Sequence, residues 1–175
     1  MPAIKFRPFV LPFLTLLCCS LASCRPPPLM SYPWFWDYTK TKPLDAHLVG
    51  TYRILKLRLP DDLARQVREK DASIILRADH TALFTGFPDF DPFGDNVVCN
   101  LSGSADWLPG DLSGGGFGWS VEFNNYRPAK KLAACGYANT MWTILILGQH
   151  PPYRLYTIVG DPDNDTGIEF KRADD

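Results

Sequence analysis

Leu48-Val49-Gly50-Thr51-Tyr52-Arg53-Ile54-Leu55-Lys56-Leu57-Arg58-Leu59 is the stretch whose reading decides the fold. From Ile54 onward, apolar and polar side chains alternate. Successive side chains of a strand leave on opposite faces, so such a period marks a strand with one face in a core. Further strand-like stretches follow down the chain. Ser73–Arg77 and Thr81–Thr85 flank Ala78-Asp79-His80, a plausible hairpin turn. Asn96–Leu101 reads as a short strand, Trp119–Phe123 alternates cleanly, and Met141–Gly148 looks like a buried strand. Pro151-Pro152 turns the chain into Tyr153–Val159, and residues 160–167 turn it again into Ile168–Lys171.

Only one segment breaks the pattern. Pro60-Asp61-Asp62 opens a short helix near residues 61–70, with acids in its first turn and bases later, as the helix dipole prefers. Residues 86–95 and 111–118 read as loops by their prolines, glycines and aspartates, while 125–139 carry no clear period. Seven or eight short strands joined at hairpin scale predict an all-β, mainly antiparallel fold, either a barrel or a sandwich. The early Gly50-Thr51-Tyr52 and the antiparallel run to the end resemble the lipocalin and calycin barrels. The chain departs from that pattern where Tyr52 stands in place of the usual Trp, and it lacks the long helix after the barrel. No lipid or haem ligand is carried over from the likeness.

Ahead of the strands lies an address. Lys5 and Arg7 form a basic start, Phe9 to Ala22 is uncharged and almost wholly apolar, and small residues follow. The run is shorter than the roughly 20 residues of a spanning helix, and it reads as a secretory signal. It ends in Leu21-Ala22-Ser23-Cys24, which resembles the lipobox of bacterial lipoprotein precursors. Cys18 and Cys19 fit that motif less well. The likeness implies a signal peptide over 1–23 and acyl chains on Cys24, enough for stable anchoring. Cleavage after Ala22, or an uncleaved anchor, is the competing outcome. Arg25 follows the cysteine where an inner-membrane retention signal would have aspartate, so the expected location is the bacterial cell envelope, the outer membrane before the inner.

Residues 24–46 then form a lipidated tether and aromatic lead-in, 47–172 a single barrel-like domain, and 173–175 a polar tail. Arg25-Pro26-Pro27-Pro28 is stiff and extended. Five aromatics crowd Tyr32–Tyr38, where they either fold back on the domain or lie at the lipid headgroups. Of the five cysteines, Cys99 and Cys135 are left for the domain, and an oxidising compartment favours a disulfide between them over two buried thiols. A loop of roughly 37 residues would make that link worth about 4 kcal/mol.

Composition narrows the function. The 18 basic residues, less Lys5 and Arg7, stand against 19 acidic ones, a mature charge of about −3 without a basic stripe. Nucleic acid is not an expected partner. The three histidines His47, His80 and His150 are scattered, and no zinc pair, nucleophile elbow or phosphate loop is present. Asp161, Asp163 and Asp165 are the one calcium candidate. There the glycine falls one residue late for a calcium-binding helix–loop–helix, and Arg172 stands where a bidentate Glu is needed, so a strand-joining turn explains them as well. No metal or cofactor is expected beyond the lipid on Cys24.

The expected function is therefore non-enzymatic: a membrane-anchored envelope lipoprotein that binds a protein partner or a small apolar ligand, or that serves the envelope structurally. A second reading follows from the resemblance of this plan to lysozyme inhibitors and toxin-immunity lipoproteins, which also tether a small β domain. An envelope hydrolase is the third, and lacks a nucleophile–base signature. Trp107, Trp119, Trp142, Tyr153 and Tyr156 either line a barrel mouth or fill its interior. A large apolar cavity lined by Trp119 or Trp142 would point to ligand binding. A filled barrel with a protruding loop at 87–94 or 110–118 would point to a protein partner.

Overall fold

The computed structural model describes residues 37–68, 71–90, 96–112, 118–129, 142–161 and 165–174. These form an eight-stranded closed antiparallel barrel in which each strand pairs with its neighbours in sequence and β8 returns to β1. The strands are β1 (Gly50–Arg58), β2 (Ser73–Leu76), β3 (Thr81–Phe90), β4 (Val97–Asp111), β5 (Trp119–Pro128), β6 (Trp142–Leu147), β7 (Arg154–Ile158) and β8 (Gly167–Arg172). A four-residue helix, α1 (Asp45–Leu48), precedes β1, and α2 (Asp61–Arg68) joins β1 to β2. Closure gives every strand a hydrogen-bonded neighbour on each side, so the sheet has no edge strand. The all-β expectation holds, and the barrel is the form it takes.

The alternation read from Ile54 onward is interrupted by a bulge between Ile54 and Lys56 where β1 meets β8: Leu55 is left exposed, and the buried residue of β1 is Tyr52. Inward positions are filled by Tyr52, Ile74, Leu76, Phe84, Val121, Phe123, Ile144, Leu155 and Phe170, all buried. The Asp79 turn forms as expected, its carboxylate accepting from the Thr81 N–H at 3.0 Å. That bond, first among the causes, holds the Asp79 carboxyl below the usual range. α2 buries Leu63, Ala64 and Val67 and leans on β4.

Two elements are longer than the sequence suggests. β3 continues through Phe87-Pro88-Asp89-Phe90, a run with the composition of a loop. Gly86, at φ 57°, sits where the β3–β4 register shifts between Phe84 and Phe87, and its N–H donates to Ser102 Oγ at 3.0 Å. The bulge lets the strand absorb an irregular segment and resume pairing. β4 spans 15 residues, far beyond Asn96–Leu101. Its second half carries Gly103, Ala105, Pro109 and Gly110, which give no apolar alternation to read.

One end of the barrel is closed. There the Trp107 indole donates to the Arg77 carbonyl at 3.0 Å, His80 packs on the Trp107 ring with centroids 5.1 Å apart, and the Tyr52 hydroxyl donates to the Leu48 carbonyl of α1 at 2.9 Å. The segment before α1 is laced into the wall. Thr39 donates its N–H to Ile146 and accepts from the Trp119 N–H, at 3.1 and 3.0 Å, so it stands between β5 and β6 just past their last pair, Ser120–Leu145. Gly118, at φ 145°, allows the close approach, since a Cβ there would meet the Tyr38 Cβ at 2.9 Å. Tyr38 is buried, which answers for this residue the question left open for the aromatic lead-in; residues 32–36 lie outside the described residues. Among the described residues, no helix is long and apolar enough to cross a membrane.

Candidate functional site

The other end of the barrel is where chemistry collects. β3 ends, β4 begins, β6 begins and β7 ends there, and between them lies a cavity of about 280 Å³. Its walls come from Phe87, Asp89, Leu101, Trp142, Thr157 and Val159, with Pro88, Phe90, Thr143, Ile158 and Gly160 completing the lining. The volume is just below the usual range for small-molecule sites, and polar and apolar surface share the walls about equally. The interior is thus filled through its middle and opens into a cavity at this mouth.

Register explains the lining. Directly opposite residues of an antiparallel pair share a face. Phe87 stands opposite Leu101 and Asp89 opposite Cys99, so the burial of Leu101 places this whole set inward. Below it lies an aromatic floor centred on Phe84. Its ring centroid is 5.0 Å from Phe123, 5.1 Å from Trp142 and 5.7 Å from Phe87, and Tyr126 sits 5.5 Å from Trp142. These are tilted and edge-on arrangements, the favoured ones for ring pairs.

Asp89 is the one ionisable residue among the described residues of the lining. It is only 9% exposed. Burial pushes its carboxyl up to about 6, against the opposing pull of the Phe90 N–H. Its Oδ2 lies 3.6 Å from Cys99 Sγ. Cys99 is disulfide-bonded, and a disulfide sulfur has no proton to give, so this contact is a close approach that leaves the carboxylate unneutralised. Nearby, burial also raises the Tyr126 hydroxyl, and the Asp89 charge adds to the effect. The Trp142 indole nitrogen is buried without a hydrogen-bond partner, an uncommon condition for a buried donor.

No known family model, curated protein or solved structure matches this chain.

The residues singled out in the sequence disperse. Trp142 reaches the mouth; Trp107 closes the far end; Trp119 faces Lys42, whose Nζ is 5.6 Å from the ring centroid. Tyr153 and Tyr156 are buried but do not line the cavity. Burial, first, and then the nearby Asp165 charge raise the Tyr156 hydroxyl to about 12. None of the three histidines lines the mouth: His80 faces Asp45, 3.5 Å from Nε2 to Oδ2, and His47 lies near Tyr153. Asp163, Cys135 and Cys24 lie outside the described residues. Asp165 directs its carboxylate to Arg58, 2.8 Å away. Among the described residues, no group of three or more His, Cys, Asp or Glu is placed to hold a metal. Asp89 itself escaped the sequence reading, because Phe87-Pro88-Asp89 has turn composition and its inward face depends on the bulge at Gly86.

Proposed function

We propose that this protein is a lipid-anchored barrel of the bacterial cell envelope that binds a small apolar ligand at its mouth. The cavity carries this reading: a buried carboxyl and an unpartnered indole N–H above a floor of aromatic rings. A barrel with no task but to be stable would fill that end with side chains. Anchoring rests on the lipobox-like Leu21–Cys24. Acyl chains on Cys24 would hold the barrel at the membrane surface, where apolar small molecules partition.

Two measurements test the proposal. Benzyl alcohol, titrated against the full chain in detergent, is expected to quench tryptophan fluorescence saturably. Thr157→Phe, which places a ring in the cavity, is expected to weaken that binding at least tenfold while the protein stays folded. Quenching that does not saturate, or that survives Thr157→Phe unchanged, would count against a mouth site. For the anchor, Cys24→Ala is expected to move the protein from the membrane to the soluble fraction with its circular dichroism intact. A variant still tightly bound to membranes would remove the lipid from the account.

A further inference from the structure

The lining of the mouth has a charge asymmetry that selects among small apolar ligands. Among the described lining residues, Asp89 supplies the one ionisable side chain, and no Lys, Arg or His joins it. A carboxylate or phosphate ligand would enter beside an anion with no cation to receive it, an expensive arrangement in a low-dielectric site. A neutral hydrocarbon would leave the carboxylate with only the Phe90 N–H to offset its charge, and the Trp142 N–H without a partner. A cationic amine satisfies the carboxylate directly. The ring faces of Phe87 and Trp142 add a second attraction, since a desolvated cation near such a face gains from the ring quadrupole.

We propose that the mouth binds a small amine with a ring-sized apolar body, its ammonium group on Asp89 and its ring among Phe87, Leu101, Trp142 and Thr157. This deepens the ligand-binding reading above and rests on it. A cavity of about 280 Å³ sets the size, roughly ten heavy atoms at interior packing density. The groups nearest the carboxylate fit the role. Across the mouth, Tyr126 is a neutral hydroxyl held protonated by burial, and on β4 Cys99 is a disulfide sulfur. Among the described lining residues nothing already neutralises Asp89, so its charge is left for a guest. The Asp89 carboxyl, pushed up to about 6, would ionise fully when an ammonium group enters, since an adjacent opposite charge favours the charged form.

Isothermal titration calorimetry of the full chain in detergent at pH 7.5, with benzylamine, benzyl alcohol and benzoate, separates the possibilities. The expected order is benzylamine tightest, benzyl alcohol at least tenfold weaker, and benzoate weakest. Asp89→Asn is expected to weaken benzylamine at least tenfold and to leave benzyl alcohol within about threefold, a difference set by one lost charge–charge contact. Equal binding of benzylamine and benzyl alcohol, or benzylamine binding unchanged in Asp89→Asn, would overturn the amine assignment and leave the apolar site standing. A parallel loss of benzyl alcohol in Asp89→Asn would make the carboxyl a structural group and would also overturn it. Failure of all three compounds to bind the unaltered protein would overturn both readings.

Discussion

Asp89→Asn is expected to stabilise the barrel at neutral pH and to remove a pH dependence that the unaltered protein shows. In the folded chain, burial holds the Asp89 carboxyl up to about 6; in the unfolded chain it returns to its ordinary value near 3.8. Between those values the folded state binds the extra proton, so stability falls as pH rises through the window from about 4 to about 6, and the loss is complete above it. A separation of about two pH units corresponds to at most about 3 kcal/mol. For a domain of this size that is a rise of about 5–10 °C in the unfolding midpoint of the variant at pH 7.5. Below pH 4 the two proteins should converge, because the amide and the protonated acid are near isosteres. Other carboxylates, such as Asp106 held low by Arg127 and Asn125, titrate in both proteins and cancel in the difference. Thermal unfolding of the two proteins at pH 4 and pH 7.5 checks this, and a midpoint difference that does not change with pH would show that Asp89 is not held protonated by its surroundings. A destabilising buried acid kept in a cavity is the kind of local cost that binding sites carry.

Arg154→Met is expected to be the most damaging substitution outside the barrel interior. On the outer face of β7, the Arg154 guanidinium donates to Glu169 of β8 and to Asp37 of the segment laced along the wall. Glu169 is 4% exposed, so its carboxylate depends on that partner. Removing one member of a fully buried pair typically costs about 3–5 kcal/mol; the Arg154 side chain is 37% exposed, so water reaches the pair and a loss of about 2–3 kcal/mol is expected. Asp37, on the more exposed arm of the fork, should matter much less: Asp37→Asn is expected to cost below about 1 kcal/mol. Urea unfolding of Arg154→Met, Glu169→Met and the double variant gives the comparison, with the double variant recovering much of the loss since it buries no unpaired charge. An Arg154→Met protein within 1 kcal/mol of the unaltered one would mean that the fork contributes little to holding the 37–39 segment.

Much of the barrel was legible because its strands alternate cleanly where the core is aliphatic. Ser73–Leu76 and Thr81–Phe84 bury alternate residues, Trp119–Phe123 alternates in sequence, and Trp142–Leu147 was legible as a continuous apolar run, its last four residues being buried. The short helix was legible from its charge order. What could not be read is where pairing, and not side-chain pattern, defines the strand. Gly103, Ala105, Pro109 and Gly110 sit in β4 because β3 and β5 supply partners on both sides. Thr39 joins the wall through its backbone N–H and C=O, and its hydroxyl donates to the Gly148 carbonyl.

The site followed the same rule. Trp142 was visible as a large ring in a buried strand, and one of several that could face a cavity. Its selection over Trp107 and Trp119 depends on which end of each strand reaches the mouth, and that is set by the closed topology. Asp89 was hidden by two neighbours, Gly86 and Pro88, that ordinarily mark a turn. An aspartate between two phenylalanines, Phe87 and Phe90, was the one local sign that this loop-like run is half buried.

The most direct test of the central claim uses the tryptophan indole N–H resonances of the ¹⁵N-labelled protein, followed while benzyl alcohol is added. Trp142 lines the mouth, whereas Trp107 is locked to the Arg77 carbonyl at the closed end and serves as an internal control. A ligand site at the mouth predicts that the Trp142 resonance shifts saturably while Trp107 stays where it is, and that Thr157→Phe abolishes the shift. A Trp142 resonance that does not move at saturating benzyl alcohol, or that moves together with Trp107, would contradict a binding site at the mouth of this barrel.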